Sequence, residues 1–345
     1  MKKKEQAPEP TVEIQPIEYE TQAIEETANV LFKPNPGPQT DFLAASEREV
    51  LYGGSAGGGK SYAMLSDPLR YMGHPAFSGL LLRHTTEELR ELVFKSQELY
   101  PKIWPGIKWS ERKMQWTAPS GARLWMSYLD RDDDVLRYQG LAFSWIGFDE
   151  LTQWSTPYAW NYMRSRLRST AADLPIYMRA TTNPGGRGHH WVKKMFIDPS
   201  PYNRAYDATD IETGEVLRYP AGHAKAGRPL YKRRFIPARL SDNPYLAESG
   251  DYEAMLLSMP EQQRRQLLDG DWDIKEGAAF TEFDRNIHVV EPFDIPNNWV
   301  KFRACDYGYG SKSGVIWFAV APNEQLIVYR ELYVSKVLAT DLADM

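Results

Sequence analysis

Glu49-Val50-Leu51-Tyr52-Gly53-Gly54-Ser55-Ala56-Gly57-Gly58-Gly59-Lys60-Ser61 decides the fold class of this 345-residue chain. The stretch Glu49-Val50-Leu51-Tyr52 reads as a short strand ending in glycines, and Ser61 to Met72 has the apolar spacing of a helix. Between them Gly54, Ser55, Ala56, Gly57, Gly58, Gly59, Lys60 and Ser61 fit G-x-x-x-x-G-K-[ST] in full, with strand before and helix after. Glycines let a backbone wrap closely around phosphate, and the N–H groups at a helix start face the anion. Lys60 would then reach the β- and γ-phosphates of ATP, and the Ser61 hydroxyl would hold Mg²⁺. The bland alternative is a glycine-rich turn without chemistry; the Lys-Ser pair after a strand speaks against it.

Downstream, Gly79 to Arg83 reads as a second strand and Thr86 to Tyr100 as a helix, opened by a capping box of Thr85 and Glu88. Residues 108–129 alternate as antiparallel strands do. The apolar run Phe143 to Phe148 ends in Asp149-Glu150. In that place Asp149 suits the acid that holds Mg²⁺, mainly through water, and Glu150 the base that deprotonates attacking water. A strand-ending surface pair is the alternative. Tyr158 to Arg168 reads as a helix. A strand at 176–180 runs into Thr181, Thr182 and Asn183, polar residues placed to sense a γ-phosphate. Strands alternating with helices predict an α/β fold on a parallel sheet, and the 54–61 turn makes it a P-loop fold.

Composition agrees with a globular protein: 42% hydrophobic, 25% charged, formal net charge −5. A single cysteine, Cys305, excludes an internal disulfide and suits a reducing compartment. No run approaches the ~20 apolar residues that span a bilayer, and no signal peptide, internal repeat or low-complexity tract is visible. Charge is uneven. Residues 1–28 hold three Lys and seven Glu and read as a flexible acidic tail, whereas 187–240 hold eleven Lys/Arg against five Asp/Glu. Residues 200–245 read as irregular or a hairpin, and Ala247 to Leu268 as a helix kinked or split by Pro260. After Val300 three strands, 301–305, 315–321 and 326–334, predict an antiparallel meander. The expected organisation is a tail (1–28), a P-loop domain (29–275, with the basic segment 187–245), a linker (276–295) and a second domain (296–345).

With these residues in place the chain resembles the large terminase subunit of tailed bacteriophages, the motor that packages viral DNA. The resemblance rests on Pro38-Gln39-Thr40-Asp41-Phe42, the 54–61 loop, Arg83, Gln139-Gly140, Asp149-Glu150-Leu151-Thr152 and Thr181-Thr182-Asn183-Pro184. It continues through Arg234-Phe235-Ile236-Pro237-Ala238, Asp242-Asn243-Pro244-Tyr245, Leu268-Asp269-Gly270-Asp271-Trp272 and Asp306-Tyr307-Gly308. It implies a P-loop NTPase of RecA/ASCE-like type, in which Gln39 contacts adenine and Thr181, Thr182 and Asn183 form the motif coupling hydrolysis to DNA movement. It further implies a homo-oligomeric ring in which an arginine reaches a neighbour's ATP. Arg137 is the candidate, with Arg83, Arg164 and Arg166 as competitors. Implied partners are double-stranded DNA, a small terminase subunit and the portal ring of a procapsid, in the cytoplasm of a bacterial host and without a membrane. Basic residues of 187–240, among them Arg187, Lys193, Lys194, Lys232, Arg233 and Arg234, are candidates to touch DNA phosphates, which carry no sequence information.

The resemblance also implies a C-terminal RNase H-like nuclease domain, with Asp306 as its first carboxylate for a Mg²⁺ or Mn²⁺ site. Two-metal nucleases need several convergent carboxylates. About 45 residues follow Val300, so the nuclease is expected to be incomplete here and its activity weak or absent. Two other readings are open. A helicase-like P-loop ATPase would need a second α/β set of its own, and none is visible after residue 190. An assembly protein that binds ATP without turnover would have no use for Glu150.

Overall fold

The computed structural model describes residues 32–273, 288–308, 312–335 and 337–343. The expected acidic tail and most of the expected linker lie outside them. The chain divides into two compact units between Gly277 and Ala278.

The first unit is built on nine strands: β1 (Glu49–Gly54), β2 (Ser78–Arg83), β3 (Lys108–Ser110), β4 (Gln115–Thr117), β5 (Arg123–Tyr128), β6 (Trp145–Phe148), β7 (Tyr177–Thr182), β8 (Ala205–Asp207) and β9 (Lys232–Ala238). They form one mixed, mostly parallel sheet in the order β3-β4-β5-β2-β6-β7-β1-β9-β8. The six strands from β5 to β9 run parallel, and antiparallel pairs close both edges. Strands β1, β6 and β7 are buried throughout, as parallel strands covered on both faces must be. Alternate residues feed two cores. Val50, Tyr52 and Leu81 pack with Phe42, Met64, Leu92 and Trp145 on one face; Leu51, Leu80 and Leu82 pack with Ile146, Phe148, Trp160 and Met178 on the other. Helices α1 (Pro38–Ala44), α2 (Lys60–Ser66) and α3 (Thr86–Ile103) lie in or beside the first core, and α4 (Tyr158–Arg164) serves the second. The capping box at the start of α3 is present, Thr85 accepting from the Glu88 N–H and Glu88 from the Thr85 N–H.

Several expectations are corrected. Strand β9 lies in the segment expected to be irregular or a hairpin; it pairs antiparallel with β8, as a hairpin arm does, but its other edge is the parallel neighbour of β1, which that reading did not include. Its opening Lys232-Arg233-Arg234 hides a strand from any apolar pattern, because the charge of Arg233 is neutralised by a partner far away in sequence. The helix expected to Met72 stops at Ser66, and Pro68 opens a 3₁₀ turn. The helix expected to Arg168 stops at Arg164. The segment 247–268 is split at Pro260 as expected, but it is broken at Gly250 as well and ends in a π turn, Arg265–Asp269. Within 108–129 only β3, β4 and β5 pair antiparallel; β5 turns its other edge to β2 in parallel.

The second unit carries β10 (Val300–Asp306), β11 (Lys312–Val320) and β12 (Leu326–Ser335) in an antiparallel sheet, as the alternation predicts. Val300, Phe302, Leu326, Val328 and Tyr333 are exposed on it. Among the described residues no helix is long and apolar enough to cross a membrane.

Candidate nucleotide site

Parallel neighbours place their C-terminal ends on one edge. Here that edge collects the 54–61 turn after β1, Thr181 to Asn183 at the end of β7, and Asp149-Glu150 after β6. Only β7 separates β1 from β6, so those two strands lie about 10 Å apart at a usual spacing of ~4.8 Å per strand. Lys60 experiences the charges of both Glu150 and Asp149.

The 54–61 turn is braced from outside. Gly54 has φ +140°, and a Cβ there would meet the Ala238 carbonyl oxygen at 2.2 Å. The Ser55 N–H donates to the Ala238 carbonyl (2.8 Å), and the Ala56 N–H to that of Leu267 (2.6 Å). Three carbonyls of the turn accept side-chain donors: Gly57 from Asn243 Nδ2 (2.7 Å), Gly58 from the Tyr52 hydroxyl (2.7 Å) and Gly59 from Gln39 Nε2 (2.9 Å). With these oxygens held by the protein, the backbone N–H groups of Gly57, Gly59, Lys60 and Ser61 have no partner among the described residues. Unpaired donors of that number are costly unless they meet an anion or water. Lys60 is buried and donates to the Ser55 carbonyl. Burial pushes its ammonium pKa down against the pull of Glu150 and Asp149. The Ser55 hydroxyl is buried without a partner among the described residues.

Gln39, expected at adenine, has its amide engaged at both ends. Its oxygen accepts the Asn35 N–H at 2.6 Å while its nitrogen holds Gly59. It braces the loop, and any contact with a base must compete with these bonds.

Asp149 is fully buried and accepts from Arg83 Nη1 and the Thr181 hydroxyl. Glu150 sits at φ +59°, ψ +59°, left-handed backbone that costs a non-glycine residue of order 1–3 kcal/mol. That twist turns its Oε2 to the Asn183 N–H at 3.2 Å, with the Thr182 hydroxyl at 3.5 Å. Burial and then the neighbouring Asp149 raise the Glu150 pKa, while Lys60, Arg83 and the Asn183 bond restrain the rise. Thr152, just past the acids, bonds Thr182 hydroxyl to hydroxyl at 2.7 Å. The acid loop and the Thr-Thr-Asn turn are thus one body.

Arg83 belongs to this site in its own chain, on Asp149 and 3.8 Å from Glu88, so it is not free to serve a neighbour. Arg164 is likewise committed, to buried Glu49. Arg166 bonds Ser165 and lies over the Tyr162 ring. Arg137 is 45% exposed, donates to the Tyr128 carbonyl at 2.7 Å and covers the Tyr128 ring. Sequence reasoning did not find Tyr52, Leu267 or Gly270 as parts of the loop's support. Asn243 could have been suspected from Asp242-Asn243-Pro244-Tyr245 only through the resemblance.

The basic candidates separate. Arg233 is 1% exposed and paired to Glu49 at 2.7 Å, so it is a core side chain and leaves the DNA-facing set. Arg234 is held by Asn203, 3.0 Å away, and lies 3.7 Å from Asp41. Lys193 is held by Asp198 and Asp273. Lys232 pairs with Asp207 at 2.8 Å, and Lys194 lies 4.0 Å from Glu212; both remain largely exposed. Arg187 is exposed and carries no ion pair among the described residues. In the second unit Asp306 ends β10 and is exposed. Among the described residues no three His, Cys, Asp or Glu side chains stand together as metal ligands.

A family model described as terminase large subunit, T4likevirus-type, N-terminal, matches residues 51–287. No curated protein matches the chain. Among solved structures, the large terminase of a thermophilic bacteriophage in complex with ADP is 16% identical, with 88% of this chain and 68% of that one covered at a TM-score of 0.50. The ATPase domain of the Thermus phage P74-26 large terminase is 14% identical over 70% of this chain and 94% of that one, at 0.43. The HK97 bacteriophage large terminase is 11% identical over 88% and 63%, at 0.41. The family model spans more than half of the sequence, and the 54–61 turn, the paired acids and the Thr-Thr-Asn turn all fall inside it: the chain belongs to the T4-like terminase large-subunit family.

Proposed function

We propose that the first unit is a RecA/ASCE-like ATPase whose hydrolysis of ATP drives double-stranded viral DNA into a procapsid. The observation that supports this reading is the shared sheet edge: the 54–61 turn follows β1 and the Asp149-Glu150 pair follows β6, at the same ends of parallel strands one strand apart. The ADP complex of the thermophilic bacteriophage's terminase supports it.

In this reading the N–H groups of Gly57, Gly59, Lys60 and Ser61 and the ammonium of Lys60 bind the phosphates. The Ser61 hydroxyl and Asp149 are the oxygens suited to Mg²⁺, which supplies charge neutralisation on the phosphates when bound. Arg83 and Thr181 hold Asp149 in place. Glu150 orients a water at the γ-phosphate and takes its proton as the water oxygen bonds phosphorus and the β–γ bridge breaks. Asn183 and Thr182 hold the Glu150 carboxylate, so a change at the γ-phosphate reaches the turn after β7 directly. Arg187, Lys194 and Lys232 are the exposed cations placed to meet DNA phosphates. Arg137 acts on a neighbour's ATP in a homo-oligomeric ring that docks on the portal with the small terminase subunit, in the host cytoplasm. We assign 29–275 to this ATPase, 1–28 to a tail and 276–295 to a linker. Residues 296–345 are assigned to the beginning of an RNase H-like nuclease, with Asp306 its first metal ligand.

ATP turnover with duplex DNA tests the reading. Glu150→Gln should bind ATP with wild-type affinity and lose at least about a hundredfold in kcat, the scale of general-base catalysis. Turnover unchanged in Glu150→Gln would refute the assignment.

A further inference from the structure

The turn that follows Thr181 to Asn183 is tied to a second stretch, 265–273, that the chemistry above leaves without a role. His189 ties them. Its Nδ1 accepts the Gly185 N–H at 2.8 Å. A nitrogen that accepts carries no proton, so the proton sits on Nε2, which donates to the Trp272 carbonyl at 3.2 Å. The imidazole also stacks on the Trp272 ring, centroids 5.3 Å apart and planes 27° from parallel.

Both ends of this tie lead back to the nucleotide site. On one side Gly188 donates to the Thr152 carbonyl at 2.7 Å, and a Cβ at Gly188 would meet the Trp154 carbonyl at 2.1 Å. The turn 183–188 is therefore packed onto the segment just past Glu150, and it holds the Glu150 carboxylate through Asn183. On the other side the π turn gives its Leu267 carbonyl to the Ala56 N–H. Gly270 lies against Ser55 and Gly54 so closely that a Cβ would meet the Ser55 nitrogen at 2.7 Å. Trp272 reaches within 3.4 Å of the Cβ position of Gly53. The contacts form a chain that starts at the 54–61 turn and ends at Glu150: the π turn, Trp272, His189, Gly185, Asn183, Glu150.

We infer that His189 is a positioning residue that transmits the state of the γ-phosphate end to residues 265–273, the described stretch that leads out of the first unit. This deepens the ATPase reading and rests on it for the identity of the phosphate. A contact chain by itself is not coupling; coupling is a free energy shared by the two ends. The chemistry at His189 suits the task because one neutral tautomer satisfies both ends at once, and loss of either bond leaves a backbone group unpaired.

The test uses the full chain and two readouts. In the first, ATPγS with Mg²⁺ is added and amide hydrogen exchange is followed in 183–188 and 265–273. The wild type should respond in both. In His189→Ala the response of 183–188 should persist while that of 265–273 falls roughly fivefold or more, the lower range of allosteric coupling. In the second, ATP turnover with duplex DNA should lose about tenfold in kcat in His189→Ala with KM within about twofold. His189→Asn, which keeps an acceptor near Nδ1, and His189→Gln, which keeps a donor near Nε2, should each recover part of that loss. Equal exchange responses in the wild type and His189→Ala would overturn the inference. So would a kcat loss that neither Asn nor Gln relieves, accompanied by a lowered Tm, because that marks a purely structural role. A wild type whose 265–273 segment ignores ATPγS overturns it too, even with turnover intact. A wild type that shows the exchange response without turnover leaves the inference standing and removes the ATPase reading.

Discussion

Gly270 lies more than two hundred residues from the 54–61 turn in sequence, yet its replacement by alanine should damage phosphate binding. Gly270 is in the left-handed region at φ +64°, and an added Cβ would meet the Ser55 nitrogen at 2.7 Å and Gly54 backbone atoms at 3.0 Å. Those neighbours are backbone, so no side chain can swing aside. Gly250 is the matched control. It has φ +67°, and nothing lies within 4 Å of its Cβ position. Both Gly→Ala changes carry the left-handed penalty of about 1–2 kcal/mol. Gly270→Ala alone adds an overlap of the kind that costs ~1–3 kcal/mol in packed interiors. If the 54–61 turn moves to relieve it, ATP binding should weaken roughly 5- to 150-fold relative to Gly250→Ala, at 1.4 kcal/mol per factor of ten. If the overlap is instead carried by the whole unit, Tm should fall by a further ~2–12 °C, at 2–4 °C per kcal/mol for a unit of this size. Isothermal titration with ATP and thermal melts of both variants separate the two outcomes. Gly270→Ala matching Gly250→Ala in both Kd and Tm would show that the π turn does not brace the phosphate loop.

Other consequences follow from single groups. Burial and Asp149 raise the Glu150 pKa above its ordinary 4.5, so kcat should begin to fall while the pH is still above that value, and a pH–rate profile should place the acid limb there. The sign for stability is the reverse of the usual carboxylate case. The folded state holds this proton more tightly, so stability is fully present below pH 4.5 and lost as pH rises through the raised value; Glu150→Gln should raise Tm relative to wild type at pH 8 and not at pH 4. Glu49 is wholly buried between Arg164 and Arg233. Glu49→Gln strands two cations and should cost ~3–5 kcal/mol, seen as a Tm lower by ~6–20 °C. Lys232→Met, at an exposed pair, should move Tm by no more than about 4 °C. Arg137→Ala should leave ATP affinity unchanged and reduce turnover only where subunits assemble. Mixing it with Glu150→Gln subunits should restore activity at interfaces that pair an intact arginine with an intact glutamate.

Much of the site was legible without coordinates. The glycine-lysine turn, the acids after an apolar strand and the Thr-Thr-Asn turn are short local patterns, and each needs only its flanking strand to be read. The alternation of strands and helices carried the α/β class for the same reason, and the Thr85–Glu88 box marked a helix start because both partners lie within one turn. Strand β9 was legible only as one arm of a hairpin; its place inside the parallel sheet was not, since Arg233 and Arg234 break the apolar pattern that marks a buried strand. Arg83 was visible as a strand-ending cation, but its assignment to its own site needed the Asp149 contact.

Sequence by itself determined the α/β class, the family and the identities of the groups that gather at one edge of the sheet, because local spacing sets which side chains leave each strand end. Only the tertiary structure decided which of them meet, which arginine is a core residue and what holds the loop in place. Arg233 finds Glu49 across 184 residues, and Asn243 finds Gly57 across 186. A charge or a carbonyl is satisfied by whatever the sheet order brings within 3 Å, and sheet order is written in packing shared by the whole unit, not in any one segment.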